Sequence, residues 1–216
     1  MLSQWRSHLS RWGLMRTSYA VIMTGLEHCG FHLCQIDTRP LEAEPSLAIP
    51  IPEAFELRIL SRQECLTHRS HMPMSVDFIN SAFERGDLCA GALYKDKLVA
   101  FVWRSFSTAP HLSRVWVAFA APHRYGYKAY TCPQFRGQRL HNLLSKFSDP
   151  ACLERGVSKT VGFVKTHNFA SINSVRRNSG QLLGYAGYIQ IGRFFASFCS
   201  PGVKSSGFRF YLRKKN

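Results

Sequence analysis

A strand, a turn and a helix follow one another between Tyr125 and Leu144, and this run constrains the fold more than any other part of the sequence. Pro133 ends an aromatic strand, because proline cannot donate to a sheet ladder. The pair Arg136–Gly137 forms the turn, and an apolar helical pattern begins after it. Such a helix start directs free backbone N–H groups and partial positive charge outward, which favours phosphate binding. The run therefore predicts an α/β fold with an anion site.

Residues 133–144, which read PQFRGQRLHNLL, resemble the acyl-CoA-binding loop of the GCN5-related N-acetyltransferases (GNAT). In that family the loop reads Pro-x-x-Arg-Gly-x-Gly-x-Gly/Ala, and an apolar pair follows it. The positions that fit this pattern are Pro133, Arg136, Gly137, Leu143 and Leu144. Arg139 and His141 stand where the family has small residues, so their side chains would either crowd the pyrophosphate or contact it.

A second stretch, Asn168–Ser171, follows a predicted strand and resembles the Asn-x-x-Ser segment that opens the next helix of the family and flanks the CoA arm. Gly180 and Gly184 approximate the glycines that follow in the family, although their spacing is about one residue off. Asn and Ser cap helices in any protein, so this stretch alone indicates only a helix start. Together, the two stretches imply the acetyltransferase fold over roughly residues 54–195.

The predicted elements from residue 54 onward follow the order β-α-α-β-β-β-α-β-α-β-β. This order agrees with what the resemblance implies, an α/β (α+β) fold with a central mixed, mostly antiparallel sheet flanked by helices and an N-terminal helical extension. Residues 1–50 are predicted to form an amphipathic helix and a proline-rich connector. Residues 51–216 are predicted to form the GNAT-like acyltransferase domain.

The N-terminal segment shows helical spacing of apolar residues over about 2–27, with arginines between them. An amphipathic helix of this kind either packs on the domain or contacts a membrane surface or a partner. Its apolar run Ala20–Met23 is too short for a signal peptide or a membrane span. We expect packing on the domain, with peripheral membrane contact through residues 1–27 as the alternative.

The net charge of +15 lies entirely in the second half of the chain. Residues 1–113 carry 11 Lys or Arg and 11 Asp or Glu, whereas residues 114–216 carry 17 and 2. A basic half attracts anions such as CoA phosphates, an acidic carrier protein, nucleic acid or an anionic membrane surface. Nucleic acid is disfavoured among these partners, because the cations are spread over predicted strands and helices without an arginine–aromatic run.

The seven cysteines are odd in number and irregular in spacing, which favours a reducing, cytoplasmic compartment. The densest group of metal-ligand residue types is His28–Cys34, but no second ligand pair follows at the spacing of a zinc finger. The sequence therefore predicts buried structural thiols and no metal.

The resemblance implies direct transfer of an acyl group to an amine. Backbone N–H groups near Tyr130–Cys132 would polarise the thioester carbonyl. The amine must lose a proton and the CoA thiolate must gain one. His123 is the first candidate base because it lies next to the central strand, and Tyr130 is the candidate acid. The other candidate bases are His167, Glu64, Asp77 and Glu84. Because no Asp or Glu lies in residues 125–132 or after Glu154, a carboxylate base would have to come from the first half of the chain.

The resemblance also implies which residues bind acetyl-CoA, or another acyl-CoA, as the co-substrate. These cofactor-binding residues are Tyr130, Thr131, Cys132, Phe135, Arg136, Gly137, Gln138, Arg139, Leu140, His141, Asn168 and Ser171.

Three functions remain open on the sequence alone. The first is an acyltransferase of EC 2.3.1 type that moves an acyl group, above all acetyl, from CoA to a small-molecule amine such as an amino acid or an amino sugar. The second has the same fold and takes a long acyl chain from acyl-carrier protein. The third is a non-catalytic basic module that binds a polyanion such as RNA. Apolar residues such as Met72, Met74 and Phe210 either line an acceptor site or form core.

Overall fold

The computed structural model describes residues 2–44, 55–112, 114–177 and 180–213, with side chains described from residue 9 onward. The helices are α1 (Leu2–His28), α2 (Arg62–His68), α3 (Val76–Glu84), α4 (Leu140–Phe147), α5 (Asp149–Leu153), α6 (Phe169–Arg177) and α7 (Pro201–Lys204). The strands are β1 (Phe31–Pro40), β2 (Phe55–Leu60), β3 (Leu88–Tyr94), β4 (Lys97–Ser105), β5 (Thr108–Leu112), β6 (Val115–Ala118), β7 (His123–Thr131), β8 (Lys159–Lys165), β9 (Gln181–Ile191), β10 (Phe194–Cys199) and β11 (Arg209–Leu212). Short 3₁₀ helices cover Arg69–His71 and Pro133–Phe135.

Eight strands form a large sheet in the order β10-β9-β1-β8-β7-β4-β3-β2, and three form a small sheet in the order β11-β6-β5. Neighbours in the large sheet run antiparallel except β7 and β8, which run parallel. The predicted mixed, mostly antiparallel sheet with flanking helices is therefore confirmed. The parallel junction lies at the centre of the sheet, with four strands on each side of it.

The sequence predicted no strand before residue 54, but the structure has strand β1 there, between β8 and β9 of the large sheet. Residues 31–40 fall within the predicted N-terminal helix and connector. The polar residues Gln35 and Asp37, which are buried in the structure, interrupt the apolar run there. Cys34 and Ile36 are buried beside them, and β1 pairs with both neighbours. The domain boundary at residue 50 stays a prediction. Such a boundary would place β1 in one domain and the other strands of the large sheet in another.

Helix α1 is interrupted at Gly13, where the φ of 77° and the ψ of 173° are not helical. The helix buries Ala20 and Met23, whereas Leu14 and Met15 are 72% and 84% exposed. Apolar residues thus lie on two sides of α1, where the sequence predicted a single apolar face. Among the described helices, none is long and apolar enough to cross a membrane. Peripheral membrane contact through this helix stays a prediction.

Helices α2 and α3 begin at serine caps. The Ser61 hydroxyl accepts a hydrogen bond from the N–H of Glu64 at 3.2 Å, and the Glu64 carboxylate accepts one from the N–H of Ser61 at 2.8 Å. The two reciprocal bonds form a capping box. The Ser75 hydroxyl accepts from the N–H of Phe78 at 3.2 Å. Both caps satisfy backbone donors that the first turn of a helix leaves free.

Two buried clusters form the core. The larger one is rich in aromatic rings and includes Trp103, Tyr125 and Phe210 from both sheets, together with Met72 and Met74. Their burial assigns the two methionines and Phe210 to the core. The second cluster packs Leu140, Leu143 and Leu144 of α4 against β3 and β4. Burial of this apolar area is the main force that holds α4 beside the centre of the sheet.

The imidazole of His111 in β5 lies among the rings of the aromatic cluster. Its ring centroid lies 4.9 Å from that of Phe163, 5.5 Å from that of Phe210 and 6.1 Å from that of Tyr188. Burial, and then the nearby His32, lower the pKa of His111 to about 4. Because this value lies below the ordinary value near 6.5, the unfolded chain takes up the proton more readily than the folded protein. The stability that this residue contributes is therefore present above pH 6.5 and is lost as the pH falls toward 4.

We expect His111→Phe to weaken the dependence of stability on acid. Between pH 7 and pH 5 the native protein should lose roughly 2 kcal/mol of unfolding free energy that the variant keeps, as the linkage between pKa and stability requires. Urea unfolding at both pH values measures the difference. The exposed His71 gives a matched control as His71→Phe, and equal losses in the native protein and His111→Phe would contradict the burial argument.

Candidate functional site

The parallel strands β7 and β8 separate soon after they begin. Residues 123–125 pair with residues 159–161. Both strands are described over their whole lengths and no later pair joins them, although β7 continues to Thr131 and β8 to Lys165. The next residues, Gly126 and Gly162, carry no side chain to fill the gap. A V-shaped opening therefore divides the centre of the sheet.

This opening is a cleft of about 440 Å³ between α4 and α6. Backbone and side chains from β1, β4, β7 and β8 also line it. The lining residues are Asp37, Thr38, Arg39, Arg104, Gly126, Tyr127, Lys128, Ala129, His141, Asn142, Ser145, Lys146, Thr160, Val161, Gly162, Phe163, Val164, Ser171, Ser174, Val175 and Gly180. The cleft closes where β7 and β8 pair and opens toward the start of α4.

Helix α4 begins beside the open end of the cleft with no side-chain cap. Its first-turn residues His141 and Asn142 line the cleft. Gly137 has a φ of 84° and Arg139 a φ of 57°, so two positions of the preceding turn adopt the left-handed conformation. Glycine adopts this conformation without strain and arginine does so at a cost of about 1 kcal/mol. The uncapped N–H groups of the first turn form an anion-binding end on the cleft wall.

The side chain of His141 projects from this first turn. It is solvent-accessible on the cleft wall. The protein atoms packed around it, and then the charge of Arg104, lower the pKa of His141. The neutral imidazole is therefore favoured in the ligand-free protein.

A β-bulge lies in β7 halfway along the cleft. Phe101 pairs with Tyr130 and Trp103 with Tyr127, so β7 holds one residue more than β4 over this stretch. Lys128, in the bulge, has a φ of 44°. A bulge leaves one residue outside the regular ladder of hydrogen bonds. Its backbone is therefore available to a ligand in the cleft.

The Lys128 side chain leaves the bulge toward α3. Its ammonium lies 4.1 Å from the centroid of the Phe78 ring, a cation–π contact. Burial lowers the pKa of Lys128. The lysine thus holds its charge against an aromatic face beside the cleft.

Three buried arginines and one carboxylate form a network at the closed end of the cleft. Arg39 donates to the two oxygens of Asp149 at 2.7 and 3.1 Å, and Arg124 also donates to Asp149. The Ser148 hydroxyl accepts from Arg124 at 3.0 Å and from Arg104 at 3.1 Å. Burial, and then the neighbouring Arg124, lower the pKa of Arg104. The network therefore carries more positive charge than Asp149 balances.

A second buried network contacts β7, the strand of Arg124, on the opposite face of the sheet. The Tyr127 hydroxyl donates to Asp87, and Arg85 donates to Asp87 at 2.8 Å and to the Tyr127 oxygen at 2.9 Å. Burial raises the pKa of Asp87, although the hydrogen bond from Tyr127 opposes this shift. Burial, and then the Asp87 charge, raise the pKa of Tyr127. Tyr127 also lines the cleft, so it connects the cleft with a buried carboxylate.

No protein-family model and no curated protein matches the sequence. Solved structures match in fold. A GCN5-related N-acetyltransferase-like protein from Streptococcus suis aligns with a TM-score of 0.50 at 14% identity, over 84% of this chain and 68% of that chain. The chain has the GCN5-related N-acetyltransferase fold.

Two further structures are similar at slightly lower TM-scores. A GCN5-related N-acetyltransferase from Sphaerobacter thermophilus has a TM-score of 0.49 at 11% identity, over 88% of this chain and 56% of that chain. A Drosophila protein has a TM-score of 0.47 at 15% identity, over 76% and 54%. This chain thus spans little more than half of the length of these two structures.

The GCN5-related fold is the fold that the resemblance of the Arg136–Gly137 loop implies. The loop lies between β7 and α4, as the sequence predicts. His141 and Ser171 are the predicted cofactor-binding residues that line the cleft. Asn168 caps α6, since its side-chain oxygen accepts from the N–H of Ser171 at 3.1 Å.

The other predicted cofactor-binding residues lie in or next to the turn before α4. Thr131, Cys132, Arg136, Gly137, Gln138 and Arg139 form or border this turn. Phe135 packs on Phe55 and Tyr94. Leu140, the first residue of α4, is buried on the side of the helix that packs against β3 and β4. Contact of these residues with a ligand stays a prediction, and for Phe135 and Leu140 it would come from the backbone.

The two predicted catalytic residues lie outside the cleft lining. His123 is buried at the start of β7, where its ring Nδ1 lies 3.0 Å from the carbonyl of Ala120. Tyr130 stacks on Phe101 with ring centroids 6.0 Å apart. The catalytic roles of His123 and Tyr130 stay predictions.

Cys132 lies next to the predicted thioester position. Burial raises the pKa of its thiol, which agrees with a structural thiol.

The structure also brings Arg104, Lys128 and Asp87 to the site, and the sequence predicted none of them. The signal that could have located the cleft is the single glycine in each of two strands, Gly126 and Gly162. Glycine inside a strand marks a bend or a close approach of a ligand or of another chain segment.

Proposed function

We propose that this protein is an N-acyltransferase that takes an acyl group from an acyl-CoA thioester and passes it to an amine. The observation that carries the proposal is the cleft between β7 and β8, beside which the uncapped start of α4 lies. A narrow gap between two strands suits an extended, uncharged arm, and the helix start suits the pyrophosphate to which that arm is joined. The GCN5-related fold supports this assignment.

In this proposal the backbone N–H groups of the turn and first turn of α4 hold the pyrophosphate. Arg136 and Arg139 add positive charge at the same turn. The bulge at Lys128–Ala129 supplies the backbone N–H that polarises the thioester carbonyl. The sequence placed this group near Tyr130–Cys132, but the N–H of Cys132 donates to the carbonyl of Val99 at 2.8 Å and is occupied.

The amine must lose a proton before or during its attack on the thioester carbonyl. His123 and Tyr130 remain the base and acid that the sequence predicts. Tyr127 offers a further route, since it lines the cleft and its hydroxyl donates to Asp87. As the Tyr127 oxygen accepts the amine proton, its own proton passes to Asp87, whose raised pKa favours taking it up. The proton then reaches solvent or the departing CoA thiolate.

Tyr127→Phe is expected to separate binding from turnover. The phenyl ring keeps the packing on Phe78 and Tyr125, and only the hydroxyl is lost. We expect an unchanged Kd for CoA and a turnover lower by about 100-fold or more, as for loss of a general acid–base group. Release of CoA thiol in the presence of a panel of amino acids and amino sugars measures turnover. Unchanged turnover would return the role to His123 and Tyr130, which His123→Gln and Tyr130→Phe test in the same assay.

Calorimetric titration with acetyl-CoA, a long-chain acyl-CoA and free CoA at two salt concentrations tests the function itself. Saturable one-to-one binding that persists in moderate salt supports the proposal, and the preferred chain length indicates the acyl group. Binding of acyl-carrier protein without binding of CoA esters would favour the carrier-dependent transferase. Steeply salt-dependent binding of RNA without thioester binding would favour a polyanion-binding module.

A further inference from the structure

Arg104 of β4 reaches the floor of the cleft over a glycine. It pairs in register with Gly126 of β7. A Cβ atom placed on Gly126 would lie 2.5 Å from Nη1 of Arg104. The guanidinium therefore occupies the space that any other residue at position 126 would fill. Because Arg104 and Gly126 both line the cleft, this cation lies where β7 and β8 begin to separate.

The charge of Arg104 has no carboxylate partner among the described residues. Its side chain donates from Nε to Ser148, whereas its Nη2 is buried without an acceptor. The residue is only 5% exposed. Asp149, the carboxylate of the network, is engaged by Arg39 and Arg124. A buried cation that remains protonated and lacks a counterion is costly, and an anion in the cleft would offset that cost.

The Arg104 guanidinium lies at the opposite end of α4 from the turn, because it donates to Ser148, the residue after the helix. The eight residues of α4 span about 12 Å. Along β7, Gly126 precedes Thr131 by five residues, or roughly 16 Å at about 3.3 Å per residue. The bulge at Lys128 is nearer, since two residues correspond to about 7 Å. A group that reaches Arg104 therefore belongs to the part of the ligand beyond the thioester, the acyl chain.

We propose that the closed end of the cleft is a carboxylate subsite, in which Arg104 receives the terminal carboxylate of the acyl group on the donor. This inference rests on the proposed function and specifies its substrate class, the CoA monothioesters of short dicarboxylic acids. Arginine suits the role, because its guanidinium stays charged and donates charge-assisted hydrogen bonds to a carboxylate.

Titration with succinyl-CoA and butyryl-CoA tests the subsite in the native protein. The two thioesters have acyl chains of the same carbon number and differ in the terminal carboxylate. We expect succinyl-CoA to bind about 10- to 100-fold more tightly, the range for a charge-assisted hydrogen bond. Equal affinities, or a preference for butyryl-CoA, would overturn the proposal.

Gly126→Ala moves the guanidinium without removing its charge, since the added Cβ meets only the mobile end of Arg104. The preference for succinyl-CoA over butyryl-CoA should fall to about threefold or less, whatever the change in the affinity for butyryl-CoA itself. Gly25→Ala is the matched control, because its Cβ enters open space on α1 and the preference should be unchanged. An undiminished preference in Gly126→Ala would overturn the role of Arg104.

Failure of every CoA ester to bind would refute the proposed function, and the subsite then has its own test. Free succinate and inorganic phosphate are compared by their effect on the Tm. A rise with succinate that Gly126→Ala removes supports a carboxylate subsite. A rise with phosphate alone, or with neither anion, overturns it.

Discussion

Gly162→Leu is expected to abolish binding of CoA thioesters and to leave the fold intact. Gly162 lies in β8, where it pairs with Asp37 of β1 and lines the cleft. A Cβ placed there meets no atom within 4 Å, so a leucine side chain would extend into the cleft without a clash. We expect Kd to rise at least 100-fold, which corresponds to about 2.7 kcal/mol. Calorimetry with acetyl-CoA measures the change.

The matched control is Gly25→Leu, which adds the same side chain to another open position, on α1. It should bind acetyl-CoA as the native protein does. The Tm of Gly162→Leu should stay close to the native value, because substitutions that create no clash and bury no polar group alter stability by about 0.5 kcal/mol or less. If the folded Gly162→Leu variant binds acetyl-CoA normally, the cleft is not the thioester site.

The parts of the fold that could be predicted from the sequence are those set by residues close together in the chain. The Arg136–Gly137 turn and the Asn168 cap are local, and both lie where they were predicted. Strand β1 was missed for a physical reason. It is buried within the sheet yet carries Gln35 and Asp37, which hydrogen-bond to each other at 2.7 Å. Polar residues inside a buried strand look, in the sequence, like a loop.

The candidate site was harder to predict, because its charged groups come together only through sheet register. Arg104 reaches the cleft because β4 pairs it with Gly126 across two strands. Asp87 joins Tyr127 at a separation of 40 residues. No spacing rule links such residues. His123 was chosen because it is near the central strand in sequence, but it lies buried at the far end of β7 from the turn.

Asp149→Asn is expected to destabilise the protein by about 3–5 kcal/mol, the range for removing one partner of a buried ion pair. Asp149 is 0% exposed and accepts hydrogen bonds from Arg39 of β1 and Arg124 of β7. An amide leaves three buried guanidinium groups with no anion and turns an N–H₂ donor toward them. The loss should lower the Tm by roughly 10 °C for a chain of this size.

Urea unfolding of Asp149→Asn and of Glu154→Gln separates this effect from the general loss of a carboxylate. Glu154 follows the same helix, α5, but is exposed, so its substitution should change the unfolding free energy by about 0.5 kcal/mol or less. A loss of under about 1 kcal/mol for Asp149→Asn is the size expected for an exposed ion pair. It would mean that the arginines find other acceptors and would contradict the prediction. Asp149 balances only one of the three guanidinium charges in this network, so Arg39, Arg104 and Arg124 together stay positive and attract an anion into the cleft.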